Sequence, residues 1–422
     1  MQEDFHYYAT YCAAIIAGYS HKESMEICYS AQFVDCCSVT FLNRIKASKL
    51  AATTQLSLEM MSSKKDIAEL QEITRIWSSF HFLPGDLYAE VKGMRRYKNK
   101  YRLICNTNSS LLVSTIKNVK GKSLQAVGLA MHVLADTWAH RYFAGTPSFV
   151  INNTTDYFFE ILPNGEERKV KFRNSVSKSD DIEKGIYTRS IQQTSENSIM
   201  NLGHGRAGHF PDYSFAKYKY LPAWKDYEEV VKDNPSDYYH AFCQMVEAML
   251  YLRGKKPDFE KHSYSFDAVA KYKNTIDAIL QKRQLSASKD WKAFGQKLSG
   301  HRIEDFDIST YEKEYKTAKE EDKSSTFLGK FILAALSQKS LVTHRIYKSR
   351  NPLAGISIEY SKKGLKGIRE YFKLLKETKT KAKDAKVEDT KVKDKKVKDT
   401  KNTKYASESQ HTKDSKRAGG GK

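Results

Sequence analysis

A mainly α-helical body carrying a small β-hairpin insertion and a disordered C-terminal tail is the fold class this sequence predicts. Three observations predict it. Apolar residues recur at helical spacing through most of the chain. Two aromatic-rich runs flank Pro163-Asn164-Gly165, a turn signal. Residues 379–422 have too few apolar side chains to form a core.

In chain order, Phe5, Tyr8, Cys12, Ile15 and Ile16 share one face of a helix over 5–19, stopped at Gly18-Tyr19-Ser20. Ser20 and Glu23 form a capping box for a second helix that reaches about residue 35. Its Met25, Cys28, Ala31 and Phe33 or Val34 face inward. Ile67, Leu70, Ile73 and Ile76 are in register for a third helix over 63–77. Residues 123–144 are the most strongly apolar helix, with Gly145 and Pro147 as its stop. Residues 157–162 and 168–172 pair across the Pro-Asn-Gly turn, so 148–200 is an insertion on a helical body. Helices resume over 236–253, closed by Gly254, and then over 264–284, 288–299, 309–321, 325–338 and 358–377. The expected organisation is a helical domain over 1–378, with a helical C-terminal half over 213–378, followed by the tail 379–422. The stretches 385–389, 390–394 and 395–399 repeat a degenerate five-residue unit inside that tail.

Hydrophobic residues make up 40 % of the 422, enough for a sizeable core. The formal net charge is +21, which attracts polyanions: nucleic acid, anionic headgroups or phosphorylated substrates. The tail holds 15 Lys/Arg against 7 Asp/Glu, so part of this excess lies outside any folded face. No run is long and apolar enough to span a membrane, and the acidic N-terminus is unlike a secretory signal, so a cytoplasmic location is expected. Six cysteines without a CxxC pair or a disulfide-like framework are expected to be reduced and small core residues.

The chemistry concentrates in Gly128-Leu-Ala-Met-His132-Val-Leu-Ala-Asp136-Thr-Trp138-Ala-His140. Each i,i+4 step turns about 40° around a helix, so His132, Asp136 and His140 form one stripe. The helix is apolar almost all round and therefore buried. Burying two imidazoles and a carboxylate is costly without partners. A divalent metal ion satisfies all three, and imidazole nitrogen and carboxylate oxygen are both zinc ligands. A hydrogen-bonded His-Asp-His ladder or a water-lined groove is the competing arrangement. Further contributors are Asp4 and His6 at the start of the first helix, and Asp35, a negative charge opposing the dipole at the end of the second. His81 sits between aromatics, and alone reads as an ordinary core or surface histidine. In Gly203-His204-Gly205-Arg206-Ala207-Gly208-His209-Phe210-Pro211-Asp212, two histidines and an acid on a glycine-rich loop can fold around an ion, with Arg206 placed to neutralise a phosphate.

Taken in this order over residues 1–215, these segments resemble the zinc-dependent phospholipase C and P1 nuclease superfamily. The resemblance implies a multi-helix phospholipase C/P1 nuclease-like body with two or three zinc ions, other divalent metals remaining open. It implies metal-ligand roles for His6, His81 and His132, with Asp136 bridging. Asp35 would be both a ligand and the general base. His140, one or both of His204 and His209, and Asp212 in place of a glutamate would serve the remaining ion. The departures are specific. Secreted members of that superfamily use the amine and carbonyl of an N-terminal tryptophan as ligands, so here Asp4 would substitute or one ion would be lost. The Asp136–His140 spacing is shorter, and the last pair lies on a glycine loop instead of a helical HxxxE. The opening Asp4-Phe5-His6-Tyr7-Tyr8-Ala9-Thr10-Tyr11, with the stretch from Met131 to His140, also looks like an uncharacterised bacterial family, to which no activity attaches.

The leading functional expectation is a metal-dependent hydrolase of a phosphoester, with a phospholipid headgroup, a nucleotide or a nucleic acid as substrate and with Trp138 and Arg206 contacting it. The alternative, from a different class, is a non-catalytic scaffold stabilised by metal. Its basic surface or tail would bind nucleic acid, anionic surfaces or acidic partners. Nothing in the residues signals an oligomeric state.

Overall fold

The computed structural model describes residues 1–55, 67–90, 100–146, 151, 154–173, 180–188 and 204–351. The expectations for 63–66, for parts of the 148–200 insertion, for the 358–377 helix and for the Lys-rich tail lie outside these residues.

The chain enters through a π-helical turn, Asp4–Ala9, which continues into α1 (Thr10–Ile16). Ser20 and Glu23 make the capping box at the start of α2 (His21–Phe33): the Ser20 hydroxyl accepts from the Glu23 N–H, and the Glu23 carboxylate accepts from the Ser20 N–H at 2.8 Å. After α3 (Val39–Arg44), α4 (Ile67–Phe80) and α5 (Ser110–Asn118) comes α6 (Leu124–Ala139), whose Ser123 side chain caps Ala126. Residues 125–139 are all buried, as an all-round apolar sequence requires, because α2, α8 (Asn234–Leu252) and α13 (Phe327–Lys348) pack around α6. The α2–α6 crossing is close. A Cβ on Gly128 would lie 2.2 Å from the Ile27 carbonyl oxygen and 2.7 Å from Ser30 Cβ.

α6 ends five residues earlier than its apolar run. Beyond Ala139 the backbone leaves the helix to pair with another segment: Tyr142 N–H donates to the Cys105 carbonyl (2.9 Å) and Cys105 N–H to the Phe143 carbonyl (2.7 Å). Tyr142 takes φ +79° in making that turn. His140 is therefore a cap residue, no longer inside the helix.

The β structure is larger than a hairpin. β1 (Thr154–Ile161) and β2 (Glu167–Lys169) are antiparallel across the turn at Gly165, as expected. β5 (Lys217–Pro222) and β6 (Val230–Asp233) then add to β1 in the antiparallel order β2-β1-β5-β6. β3 (Lys171–Arg173) and β4 (Ile186–Thr188) form a separate parallel pair. The expected helical half over 213–378 is corrected here: 217–222 and 230–233 are strands. The local sequence Lys217-Tyr-Lys-Tyr-Leu-Pro222 alternates, with Tyr218 fully buried against Phe210 and Tyr220 against Phe158 and Phe143. α7 (His204–Ala207) precedes β5.

After α8, helices α9 (Phe266–Ala270), α10 (Lys273–Gln281), α11 (Ser288–Ser299) and α12 (Glu312–Thr317) follow in the expected order, and α13 runs ten residues past the expected end at 338. One large apolar core lies among the helices, and a second surrounds the sheet around Phe158, Phe210, Tyr218 and Tyr220. All six cysteines are free thiols. Among the described residues no helix is long and apolar enough to cross a membrane.

Candidate metal centre

Six segments far apart in sequence deliver their polar side chains to one place. His6 comes from the π-helical turn and Asp35 from just beyond α2. His81 follows the last residue of α4, and His132 and Asp136 lie one turn apart on α6 with His140 at its cap. His204 begins α7, and Asp212 ends the 3₁₀ turn Phe210–Asp212.

Asp136 is the hub. Its Oδ2 lies 3.1 Å from His81 Nδ1 and 3.1 Å from His132 Nε2, and its Oδ1 lies 3.1 Å from His6 Nε2. Asp212 Oδ1 is 3.2 Å from His140 Nε2 and 3.3 Å from His204 Nε2. The amino nitrogen of Met1 reaches both carboxylates, 2.7 Å from Asp136 Oδ1 and 3.3 Å from Asp212 Oδ1, and is 3.3 Å from His140 Nε2. Asp35 Oδ1 stands farther off, 3.7 Å from His81 Nδ1 and 3.9 Å from His132 Nε2. Three sets bring one ligand atom per residue to within 4.8 Å of one another: His6/Asp35/His132, His81/His132/Asp136 and His140/His204/Asp212. The first two share His132.

Backbone carbonyls decide which ring nitrogens face this cluster. His132 Nδ1–H donates to the Ala31 carbonyl (2.9 Å), His140 Nδ1–H to the His81 carbonyl (2.8 Å) and His81 Nε2–H to the Thr53 carbonyl (3.0 Å). A carbonyl only accepts, so these contacts set the tautomers. Burial holds His6, His132 and His140 down at about 4, which leaves them neutral at pH 7. His132 Nε2 therefore faces His81 Nδ1 at 3.3 Å and Asp136 Oδ2 at 3.1 Å, and His140 Nε2 faces the Met1 nitrogen at 3.3 Å and Asp212 Oδ1 at 3.2 Å. Among the described residues, His6 Nδ1 is buried without a hydrogen-bond partner.

The remaining groups fit the same picture. Burial pulls His81 down, but the hydrogen bond and charge of Asp136, helped by Asp35, hold it above its ordinary value. Burial works against ionisation of Asp136 and Asp212, yet the surrounding histidines and the Met1 ammonium hold both well below the carboxylate range. Those carboxylates in turn outweigh burial and lift the Met1 ammonium to about 11. Burial raises the Asp35 carboxyl, with the Asp136 charge adding to it.

Of the residues singled out from sequence, His6, Asp35, His81, His132, Asp136, His140, His204 and Asp212 come together. His209 sits at the rim, 3.5 Å from Asp212 Oδ2 with 55 % of its side chain exposed. Three others lie elsewhere. The Asp4 carboxylate accepts from the Ala287 N–H (2.8 Å), and it is the Met1 nitrogen, not Asp4, that reaches the Asp136–Asp212 pair. Arg206 donates to the Thr154 carbonyl (2.8 Å). Trp138 is buried on another side of α6, donating to Gln244 of α8 (2.9 Å) and stacking on His240. Two residues along a helix is about 200°, which turns Trp138 away from the Asp136 stripe. Sequence reasoning missed the carbonyls of Ala31, His81 and Thr53, which carry no signal in side-chain identity. It also missed Phe82, whose ring stacks on His140 at 4.8 Å and whose place beside His81 was the available clue.

Residues 1–346 match the family described as a family of unknown function (DUF6765). No curated protein and no solved structure matches the chain.

Proposed function

The chain belongs to this family of unknown function, and we propose that its His/Asp cluster holds two or three divalent metal ions, zinc foremost, and hydrolyses a phosphoester. One observation carries the reading: His132 Nε2 and His140 Nε2, each on a ring whose Nδ1 is committed to a backbone carbonyl, stand 3.1–3.2 Å from buried carboxylate oxygens. A divalent cation satisfies imidazole nitrogens and carboxylates gathered this closely away from water. The Met1 ammonium already plays this part between Asp136 and Asp212. Nitrogen and oxygen donors without a thiolate suit zinc and accommodate manganese or iron. The carbonyls of Ala31, His81 and Thr53 that accept from the far ring nitrogens are of the kind that orient metal-binding histidines. The resemblance of the motif order to that of the phospholipase C and P1 nuclease superfamily supports the same assignment.

His6, His81, His132 and Asp136, with Asp35 at their edge, would hold the deep ions; His140, His204 and Asp212 would hold the shallow one. Bound divalent ions supply Lewis acidity, which polarises a phosphoryl oxygen and makes water nucleophilic near neutral pH. The Asp35 side chain is 32 % exposed and its carboxylate makes no hydrogen bond among the described residues, so it would be free to orient a water and take its proton. His209 at the rim would contact the substrate side of the shallow group. A phosphodiester is the substrate class that the basic charge and these donors share.

The reading is tested by elemental mass spectrometry on protein purified without a His-tag, beside the His132→Ala/Asp136→Ala double variant. Two or three zinc per chain, sharply reduced in the variant, are expected. A wild type that stays empty after zinc is offered overturns the assignment. With metal bound, Asp35→Ala is expected to lower phosphodiesterase turnover by roughly 10²–10⁴-fold. Unchanged turnover would remove Asp35 from the chemistry.

A further inference from the structure

Thr53 touches none of the candidate metal positions, yet all three of its polar groups tie the centre together. Its N–H donates to the Cys37 carbonyl (2.9 Å) and its hydroxyl to the Val34 carbonyl (2.7 Å). Its own carbonyl accepts the Nε2–H of His81 (3.0 Å). Val34 and Cys37 bracket Asp35. One fully buried residue thus grips the backbone on both sides of Asp35 and fixes the ring of His81. Asp35 has passed the end of α2, so the helix no longer positions it. Its carboxylate lies 3.7 Å from His81 Nδ1 without a hydrogen bond of its own among the described residues. The gap between those two groups is set through Thr53. The segment carrying Thr53 is anchored from the far side, where the Lys339 ammonium of α13 donates to the Leu50 carbonyl (2.8 Å).

We propose that Thr53 is a positioning residue for the metal centre: by clamping the Val34–Cys37 turn with its hydroxyl and the His81 ring with its carbonyl, it sets Asp35 and His81 at the spacing of two ligands of one ion. This rests on the metal reading above. The carbonyl contact forces His81 to offer Nδ1, and the hydroxyl contact keeps Asp35 opposite it. A valine at 53 has the same shape and keeps the backbone contacts, but loses the hydroxyl. The Val34 carbonyl then lacks its donor, and the turn carrying Asp35 is free to shift. A serine keeps the hydroxyl.

Cobalt(II) is the probe, titrated into full-length wild type, Thr53→Val, Thr53→Ser and His132→Ala, with affinity and the visible ligand-field spectrum read together. Thr53→Val is expected to weaken cobalt binding by about tenfold, the lower end for loss of a group that orients a ligand, and to alter the ligand-field band. Thr53→Ser is expected to restore both. Circular dichroism and a urea midpoint in EDTA report whether each variant is folded. A folded Thr53→Val with wild-type affinity and spectrum overturns the positioning role. So does a Thr53→Ser that behaves like Thr53→Val, because the hydroxyl would then not be the cause. If Thr53→Val does not fold, Thr53→Ser against wild type decides: a changed spectrum with the hydroxyl present overturns the role, and an unchanged one supports it. Failure of the metal reading is seen separately, as a wild type whose cobalt titration is indistinguishable from that of His132→Ala.

Discussion

A carboxylate has room for about four hydrogen-bonding partners, and Asp136 meets His6, His81, His132 and Met1 within 3.1 Å. That crowding makes it the residue whose loss the centre tolerates least. A different kind of buried charge is Lys339, fully enclosed on α13, with Glu72 at 3.3 Å and the Leu50 carbonyl as its partners. Burial is the largest influence on it and lowers its pKa, with the Glu72 charge working the other way. The sign follows from linkage. A lysine depressed in the folded state binds its proton less tightly there than in the unfolded chain. Its contribution to stability therefore improves as pH rises through the folded pKa toward 10.5. Wild type is expected to gain stability relative to Lys339→Met between pH 7 and pH 10. Urea midpoints at the two pH values check this, and a relative loss at pH 10 would contradict it.

At the scale of elements, the α2–α6 crossing brings Asp35 and the His132–Asp136 stripe to one place. Its closeness depends on Gly128. Alanine there gains about 1 kcal/mol in helix propensity, but its Cβ would lie 2.2 Å from a backbone oxygen that has no flexible way to retreat. Overpacking of this kind costs typically 1–3 kcal/mol, and the hard backbone contact places this site at the upper end. Gly128→Ala is expected to destabilise the protein by about 2 kcal/mol net, read as a lower urea midpoint at unchanged slope. A neutral or stabilising result would show that the crossing can open. The sheet is attached to the same helix by Lys232 of β6, a buried ammonium that donates to the Trp138 carbonyl in the last turn of α6 (2.8 Å) and pairs with Asp237. A cation at a helix C-terminus is favourable to the helix dipole. It brings β6 beside the end of α6 from which His140 reaches His204 and Asp212.

For the whole molecule, a metal held by a cluster assembled from residues 1 to 212 would link its binding to folding, since the unfolded chain cannot present these ligands together. At a free metal concentration 100 times Kd, one site contributes about 2.7 kcal/mol. EDTA is therefore expected to lower the urea midpoint of protein purified with its metal and to leave His132→Ala unaffected. Equal responses in the two proteins would place the bound metal outside this cluster.

The helical body and most of the candidate centre were legible in the sequence because both depend on local pattern. Ser20 and Glu23 announced a cap that forms from its own residues, and the His132–Asp136–His140 spacing announced a stripe that any helix would present. The failures are non-local. β5 gains its partner β1 from some sixty residues earlier and β6 then pairs with β5, so the alternation in 217–222 becomes a strand only through that distant contact. The end of α6 was placed too late because the backbone pairing at Cys105 that stops it belongs to a distant segment. Trp138 was adjacent to the stripe in sequence and turned away from it in space.

The sequence by itself determined which residues had to be buried and which of the buried ones were polar, since hydrophobic periodicity and residue chemistry are properties of the chain. The tertiary structure alone decided that Met1, Asp35, His81 and Asp212 meet on Asp136 or beside it, and which imidazole nitrogen each histidine offers. Those choices are made by backbone carbonyls and helix crossings, and both exist only once distant segments have packed together.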